Sequence, residues 1–158
     1  MDRFFTRRFF LPAILVMCLS LFSVCDDVTL PENLPEGIAE ISPFSEGRAA
    51  FRVGSQWGYI DEQFRVIIPA QFAAARPFSS GHAAVKLTRK WGFIDKSGNY
   101  IINPHYSDAR EFRENLAPVR EGGSWSYTDM SGKVVIDPQF EEVLPFSEGL
   151  SAVRVGSR

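Results

Sequence analysis

Two cysteines and two histidines are all that the 158-residue sequence contains of either type, and neither pair is placed for chemistry. Cys18 and Cys25 lie in or at the end of an apolar N-terminal segment, so the body of the protein has no thiol. A disulfide-stapled scaffold and a cysteine-ligated metal are thereby excluded. His82 and His105 fall at different positions of the repeat described below, and so give no convergent ligand set for zinc or non-haem iron. They also give no Ser–His–acid arrangement. Positive charge is not in excess: the net charge is -2. Without residues 1–25, 14 basic residues face 18 acidic ones. Such a balance carries no electrostatic footprint for nucleic acid and no basic patch for anionic lipid. No glycine-rich loop leads from a strand into a helix, which leaves nucleotide binding without support. The longest apolar run, residues 9–22, is broken by Pro12 and falls short of the roughly 20 residues of a membrane span.

Aromatic residues are abundant, with 14 phenylalanines, and hydrophobic residues make up 45% of the chain, normal for a packed protein. The rings are distributed by a rule. Gln56-Trp57-Gly58-Tyr59-Ile60-Asp61 returns as Lys90-Trp91-Gly92-Phe93-Ile94-Asp95 and as Ser124-Trp125-Ser126-Tyr127-Thr128-Asp129, and these hold all three tryptophans, 34 residues apart. The same gapless period aligns Phe44, Phe78, Phe112 and Phe146. It also aligns Gly47, Gly81, Asn115 and Gly149, and the cations Arg52, Lys86, Arg120 and Arg154. Three full copies span 42–75, 76–109 and 110–143, and a partial fourth covers 144–158.

A 34-residue period also describes tetratricopeptide helices, but these segments are short, β-branched and aromatic, are punctuated by Gly and Pro, and lack a sustained 3.6-residue period. The pattern predicts an all-β array of about three 34-residue repeats, each a three-stranded antiparallel β-meander, stacked in a solenoid-like arrangement. The expected strands are 49–53, 56–60 and 65–68, with counterparts 34 and 68 residues later. A propeller-like closure fits poorly, because its blades take about four strands over 40 or more residues.

Gly54-Ser55 and Gly122-Gly123 read as two-residue hairpin loops needing positive φ, and Thr88-Arg89 as a more strained version. A two-residue loop fixes the register, placing Arg52 across from Trp57, Lys86 from Trp91 and Arg120 from Trp125. Those three pairs are the candidate ligand-facing or structural sites: exposed indoles stack on sugars or peptide side chains, and packed indoles fill a core. Gly58 and Gly92 leave room beside the backbone for something packed closely. Asp61, Asp95 and Asp129 read as turn caps rather than calcium ligands. In the turns they open, Phe64 stands where Gly98 and Gly132 recur, so the first turn is expected to differ in backbone conformation. Strand three, as in Val66-Ile67-Ile68, is apolar on both faces and is expected to be buried on both. Glu46, Glu114 and Glu148 read as solvated turn residues, since no second carboxylate recurs at a fixed partner position.

The N-terminus reads as an export signal over residues 1–25, followed by a spacer over 26–40 and the repeat domain over 41–158. Ile38 falls at the register of Phe72, so the end of the spacer mimics the end of a repeat. Thr6-Arg7-Arg8-Phe9-Phe10-Leu11 resembles the twin-arginine signal, with Pro12 in the place of its Lys. Ordinary positive n-region residues are the other reading of Arg7 and Arg8. Ser23-Val24-Cys25 resembles a lipoprotein signal, in which Cys25 would be acylated as a membrane tether. Cleavage after Cys25 and a retained anchor are the alternatives.

The repeated residues resemble the WG-repeat family, whose units read like Phe-x-Glu-Gly-Leu-Ala-x-Val, Lys-Trp-Gly-Tyr-Ile-Asp, Gly-x-x-Val-Ile and Pro-x-Phe. The resemblance covers residues 42–158, with departures at Phe64, Pro118, Ser126 and Thr128. It implies an all-β array in a bacterial protein, often exported, with no common catalytic residue. Together these readings anticipate a non-enzymatic module at the periplasm or cell surface, with no catalytic, cofactor or metal residues. Its partner is expected to be an envelope protein, peptide or glycan, not nucleic acid. The alternatives are cell-wall glycan binding, or a structural or oligomerising spacer that self-associates through the unpaired edge of the fourth copy.

Overall fold

Two-residue loops impose antiparallel pairing, and that pairing is the basic element of the fold. The computed structural model describes residues 34–156; the segment expected to be an export signal, with Arg7, Arg8 and Cys25, lies outside the described residues. The first sheet contains β1 (Ile38–Ile41), β2 (Arg48–Val53), β3 (Gln56–Asp61) and β4 (Val66–Phe72), in that order. The second contains β5 (Ala74–Ala75), β6 (His82–Leu87), β7 (Lys90–Asp95) and β8 (Tyr100–Tyr106). The third contains β9 (Asp108–Ala109), β10 (Ala117–Glu121), β11 (Ser124–Thr128) and β12 (Val134–Phe140). A two-stranded sheet follows, β13 (Glu142–Val143) with β14 (Val153–Arg154). Among the described residues every regular element is a strand.

The expected meander is present in each repeat, and a short strand before it brings each full sheet to four. β1 draws residues 38–40 out of the expected spacer: Glu40 pairs with Arg52, and Ile38 and Ile41 pack near buried Phe51. The hairpin register is as the loops dictate, with Val53 opposite Gln56, Arg52 opposite Trp57 and Phe51 opposite Gly58. Thr88 carries the strain expected of a β-branched loop residue, at φ 56°.

Gly58 and Gly92 are required by close approach. Trp57 pairs with Phe72 and Tyr59 with Ile68, so Gly58 alone faces the bulged segment Pro69-Ala70-Gln71. A Cβ at Gly58 would lie 2.4 Å from the Ile68 carbonyl oxygen and 2.7 Å from the Ala70 nitrogen. At Gly92 the corresponding distances are 2.6 Å to the Ile102 oxygen and 2.8 Å to the Pro104 nitrogen. The closely packed object is the neighbouring strand's own backbone, which Pro69 frees from the ladder. Ser126 takes the position in the third sheet, buried, with its hydroxyl donating to the Val119 carbonyl at 3.3 Å.

Two expectations are corrected. Strand three is not buried on both sides: Val66, Ile67, Tyr100, Val134 and Val135 are exposed. β4, β8 and β12 are the last strands of their sheets, and stacking buries Ile68 and Phe72 of β4 and Ile102 and Tyr106 of β8 while leaving the residues between them largely in solvent. Gly98 lies over buried Ile68 and Gly132 over buried Ile102. Nor does the first Asp turn differ in backbone conformation. Phe64 adopts φ 59°, in the same left-handed region as Gly98 at 88° and Gly132 at 84°. Its N–H donates to the Asp61 carbonyl at 2.9 Å, as Gly98 and Gly132 do to Asp95 and Asp129. The Asp caps impose the turn, and the Phe64 ring packs edge-on against Phe44 at 5.9 Å.

The core lies between neighbouring sheets. Ala50, Tyr59, Ile68 and Phe72 of the first sheet meet Phe78, Ala83, Val85 and Ile94. Ala84, Trp91, Phe93, Ile102 and Tyr106 of the second meet Ala109, Phe112, Ala117 and Val119. Trp125 and Tyr127 of the third meet Val143, with Phe146 against them. Large rings on one face therefore seat on small residues of the next, so no sheet hides its rings alone.

Candidate functional site

Each sheet carries one transverse row set by register. In the first it runs Glu40, Arg52, Trp57, Phe72; in the second Ala74, Lys86, Trp91, Tyr106; in the third Asp108, Arg120, Trp125, Phe140. Directly opposed residues share a face, so each cation lies beside its indole. The Arg52 guanidinium carbon is 5.7 Å from the Trp57 ring centroid, the Lys86 ammonium 5.9 Å from Trp91, and the Arg120 guanidinium 6.0 Å from Trp125. Arg52 is further held by Glu40 at 3.2 Å and by the Gly54 carbonyl at 2.9 Å, and Arg120 by the Gly123 carbonyl at 2.9 Å. All three expected pairs are therefore brought together.

The indoles differ in access. Trp91 is 8% exposed and Trp125 4%, while Trp57 is half-buried. A second pair of cations approaches more closely than the first: Arg76 lies 4.9 Å from the Trp91 centroid, and Arg110 4.9 Å from Trp125. Sequence reasoning missed them. Their signal was an Arg 15 residues before its Trp in two repeats, obscured because Ser42 occupies that place in the first. Arg110 is anchored by donating to the Val143 carbonyl at 2.5 Å, and Arg76 approaches Asp108 at 3.5 Å.

Glu46, Glu114 and Glu148 are exposed turn residues, as expected, and the first two also join repeats. The Gly81 N–H donates to Glu46 Oε2 at 2.9 Å, and the Gly149 N–H to Glu114 Oε2 at 2.9 Å. Beside them Ser45 donates to the Phe78 carbonyl and Ser79 to the Phe112 carbonyl, each at 2.7 Å. Partial burial works upward on the Glu46 pKa, but the Gly81 N–H and Lys96, whose ammonium is 3.2 Å away, together hold it below the ordinary value. Tyr59 reaches across to the Arg76 carbonyl at 2.7 Å, and its burial pushes the phenol well above its usual range.

The aspartates are turn caps. Asp61 Oδ1 accepts from Gln63 and Arg65 N–H, Asp95 from Ser97 and Asn99, and Asp129 from Ser131 and Lys133. At Asp61 burial works upward but is outweighed by the Arg65 guanidinium, 2.7 Å away, so the pKa falls. Asp95 is lowered by the Asn99 N–H and side-chain amide, and Asp129 by the Ser131 hydroxyl, despite some desolvation of each. With their lone pairs committed to the turns, these carboxylates are poor metal ligands. Among the described residues no three His, Cys, Asp or Glu side chains gather as a metal set.

A cleft of about 180 Å³ lies among Ser45, Arg76, Phe78, Ser79 and Arg113, and one of about 410 Å³ beside Arg110, Val143, Leu144 and Arg154. The first is below the roughly 300 Å³ at which small-molecule sites begin. The exposed apolar residues gather on the rim strands. The rim strands repeat Val66 and Ile67, Tyr100, and Val134 and Val135 at corresponding places, with Val66 43%, Ile67 37% and Val135 47% exposed.

A family model described as "WG containing repeat" matches four stretches, residues 39–57, 57–91, 91–125 and 125–158. The shared limits of these stretches, 57, 91 and 125, are the three tryptophans. No curated protein matches the chain.

Proposed function

We propose that this chain, which belongs to the WG-repeat family, is a non-catalytic, exported binding module that presents its stacked sheets to a protein or peptide of the bacterial cell envelope. The observation that carries the reading is the apolar rim. Valine, isoleucine and tyrosine at the same place in three successive sheets give a stripe that solvent alone does not favour, and such stripes mark interaction surfaces. Among the described residues the rim strands are also the terminal strands of their sheets, and such edges suit an extended segment added as a further strand. The twin-arginine-like Arg7-Arg8 pair and Cys25 at the end of the apolar segment support export with a lipid tether.

Capture from envelope extracts and isolated peptidoglycan tests the binding role. The unsubstituted protein is expected to retain an envelope protein or peptide that an Ile67→Glu/Val135→Glu variant of unchanged circular dichroism releases. Equal retention by both would overturn the rim as the binding surface. Retention on peptidoglycan alone would move the reading to glycan binding. Mass spectrometry of the membrane fraction is expected to find acylated Cys25, and a Cys25 without acyl chains would remove the tether. A second reading is favoured by the outer face of the last hairpin, where Leu150 is 76% exposed and Val153 and Val155 are also exposed: the β14 edge pairs with a second chain. A single monomeric species in sedimentation across a wide concentration range would dismiss it.

A further inference from the structure

The first sheet differs from the next two at one place. Ser42, Arg76 and Arg110 are backbone equivalents: their N–H groups donate to the carbonyls of Ala50, Ala84 and Pro118 at 2.8, 3.0 and 2.9 Å. From that position Arg76 and Arg110 reach the indoles of Trp91 and Trp125, each with its guanidinium 4.9 Å from the ring centroid. Ser42 cannot reach, and its hydroxyl is engaged locally, accepting from Ala50 N–H at 2.9 Å and donating to the Pro43 carbonyl. Among the described residues Trp57 therefore has one cation against it, Arg52, where Trp91 and Trp125 have two. Trp57 is also the most accessible of the three indoles.

We propose that the indole of Trp57 is a docking point for an arginine side chain of a partner polypeptide, which takes the place that Arg76 and Arg110 hold in the other sheets. The chain itself provides the pattern of recognition. Arg110 stacks on Trp125 and donates to the Val143 carbonyl at 2.5 Å; the residue equivalent to Val143 in the first interface is Ala75, on β5, the first strand of the second sheet. A second cation beside Arg52 is tolerated, because Lys86 with Arg76 and Arg120 with Arg110 already share their indoles in this way. A guanidinium is favoured over an ammonium: its plane stacks on the ring while its edge donates to a carbonyl. The inference rests on the binding-module reading and narrows it to one ligand chemistry.

The test is a titration of ¹⁵N-labelled protein with acetyl-Gly-Arg-Gly amide and its citrulline counterpart, read at the three indole N–H resonances. The Trp57 resonance is expected to move with half-saturation at about ten to a few hundred millimolar peptide, as one stacked cation with one hydrogen bond allows, with Trp91 and Trp125 still. Citrulline, isosteric but uncharged, is expected to bind about tenfold more weakly or worse. Ser42→Arg should bring its own guanidinium to the ring and abolish the response. A Trp57 resonance that stays fixed, or that moves equally with citrulline, overturns the proposal on the unsubstituted protein alone, whatever the fold of the variant. So does an unchanged response in a folded Ser42→Arg. Envelope capture that proceeds while Trp57 is unresponsive to arginine overturns this site and leaves the wider reading in place.

Discussion

Gly92 and Ser126 occupy the same place in adjacent sheets, and the contrast between them yields a quantitative expectation. An alanine Cβ at Gly92 would sit 2.6 Å from the Ile102 oxygen, 2.8 Å from the Pro104 nitrogen and 3.0 Å from the Asn103 carbonyl carbon. All three are backbone atoms, so no rotamer change relieves the contact, and the β8 bulge must move outward while Trp91 stays paired with Tyr106. Forced displacement in a packed core costs about 1–3 kcal/mol. For a domain of this size that lowers the melting temperature by roughly 4–12 °C. Ser126 already carries a Cβ opposite the corresponding bulge. Ser126→Ala therefore loses only a 3.3 Å hydrogen bond to Val119, a change of about 1 kcal/mol or less. Thermal unfolding by far-ultraviolet circular dichroism compares the two. A Gly92→Ala melt within about 1 °C of the parent, or an equal loss in both variants, would refute the close-approach argument.

Three further expectations follow from the turns. Asp61, Asp95, Asp129 and Glu46 are all held below their ordinary pKa in the folded state, so on acidification the unfolded chain takes up their protons first. Their contribution is full above the unfolded pKa and is lost as pH falls through the folded values; the melting temperature should be flat from about pH 7 to 5 and drop below about pH 4, and a rise on acidification would contradict it. At Phe64 alanine removes the ring but keeps a Cβ at positive φ, whereas glycine relieves the strain, so Phe64→Gly should exceed Phe64→Ala in stability by about 1 kcal/mol in denaturant titrations. Glu114→Ala leaves the Gly149 N–H without its carboxylate and should raise amide exchange at Gly149 while Gly81 stays protected by Glu46; unchanged exchange at Gly149 would deny the link between turns.

The sequence made legible what is local or strictly periodic. A two-residue loop admits one register, so Arg52 had to face Trp57, and an Asp followed by a four-residue turn had to cap it. What escaped depends on where a strand lies in its sheet and which repeat comes next. Val66-Ile67-Ile68 has the composition of a buried strand, yet as a rim strand it buries only Ile68. Phe64 is the wrong residue for its conformation by intrinsic preference, but the Asp61 hydrogen bonds and the Phe44 contact outweigh that preference. The contacts between Glu46 and Gly81 and between Ser45 and Phe78 span one period plus or minus one residue, so alignment of identical positions could not show them. Of the candidate site, the first cation of each Trp was readable, and Arg76 and Arg110 were not.

These interlocking contacts also decide how the array comes apart. The middle interface is sealed by fully buried Phe93, Phe112 and Val119, and Ile102 and Tyr106 are buried beneath the next repeat. Their equivalents toward the last hairpin, Ile136 and Phe140, are only half-buried, and Leu144, Leu150 and Val153 stand in solvent. In a stack whose stability is a sum over neighbouring interfaces, opening begins where that sum is smallest. Backbone amides of β13 and β14 are therefore expected to exchange by local opening well below the global free energy, β11 and β12 next, and β6 and β7 only on global unfolding. Native-state hydrogen exchange reads that order directly. A single exchange free energy shared by β14 and β7 would mean that the sheets unfold as one unit, and the additive picture of ring on alanine, repeat upon repeat, would have to be given up.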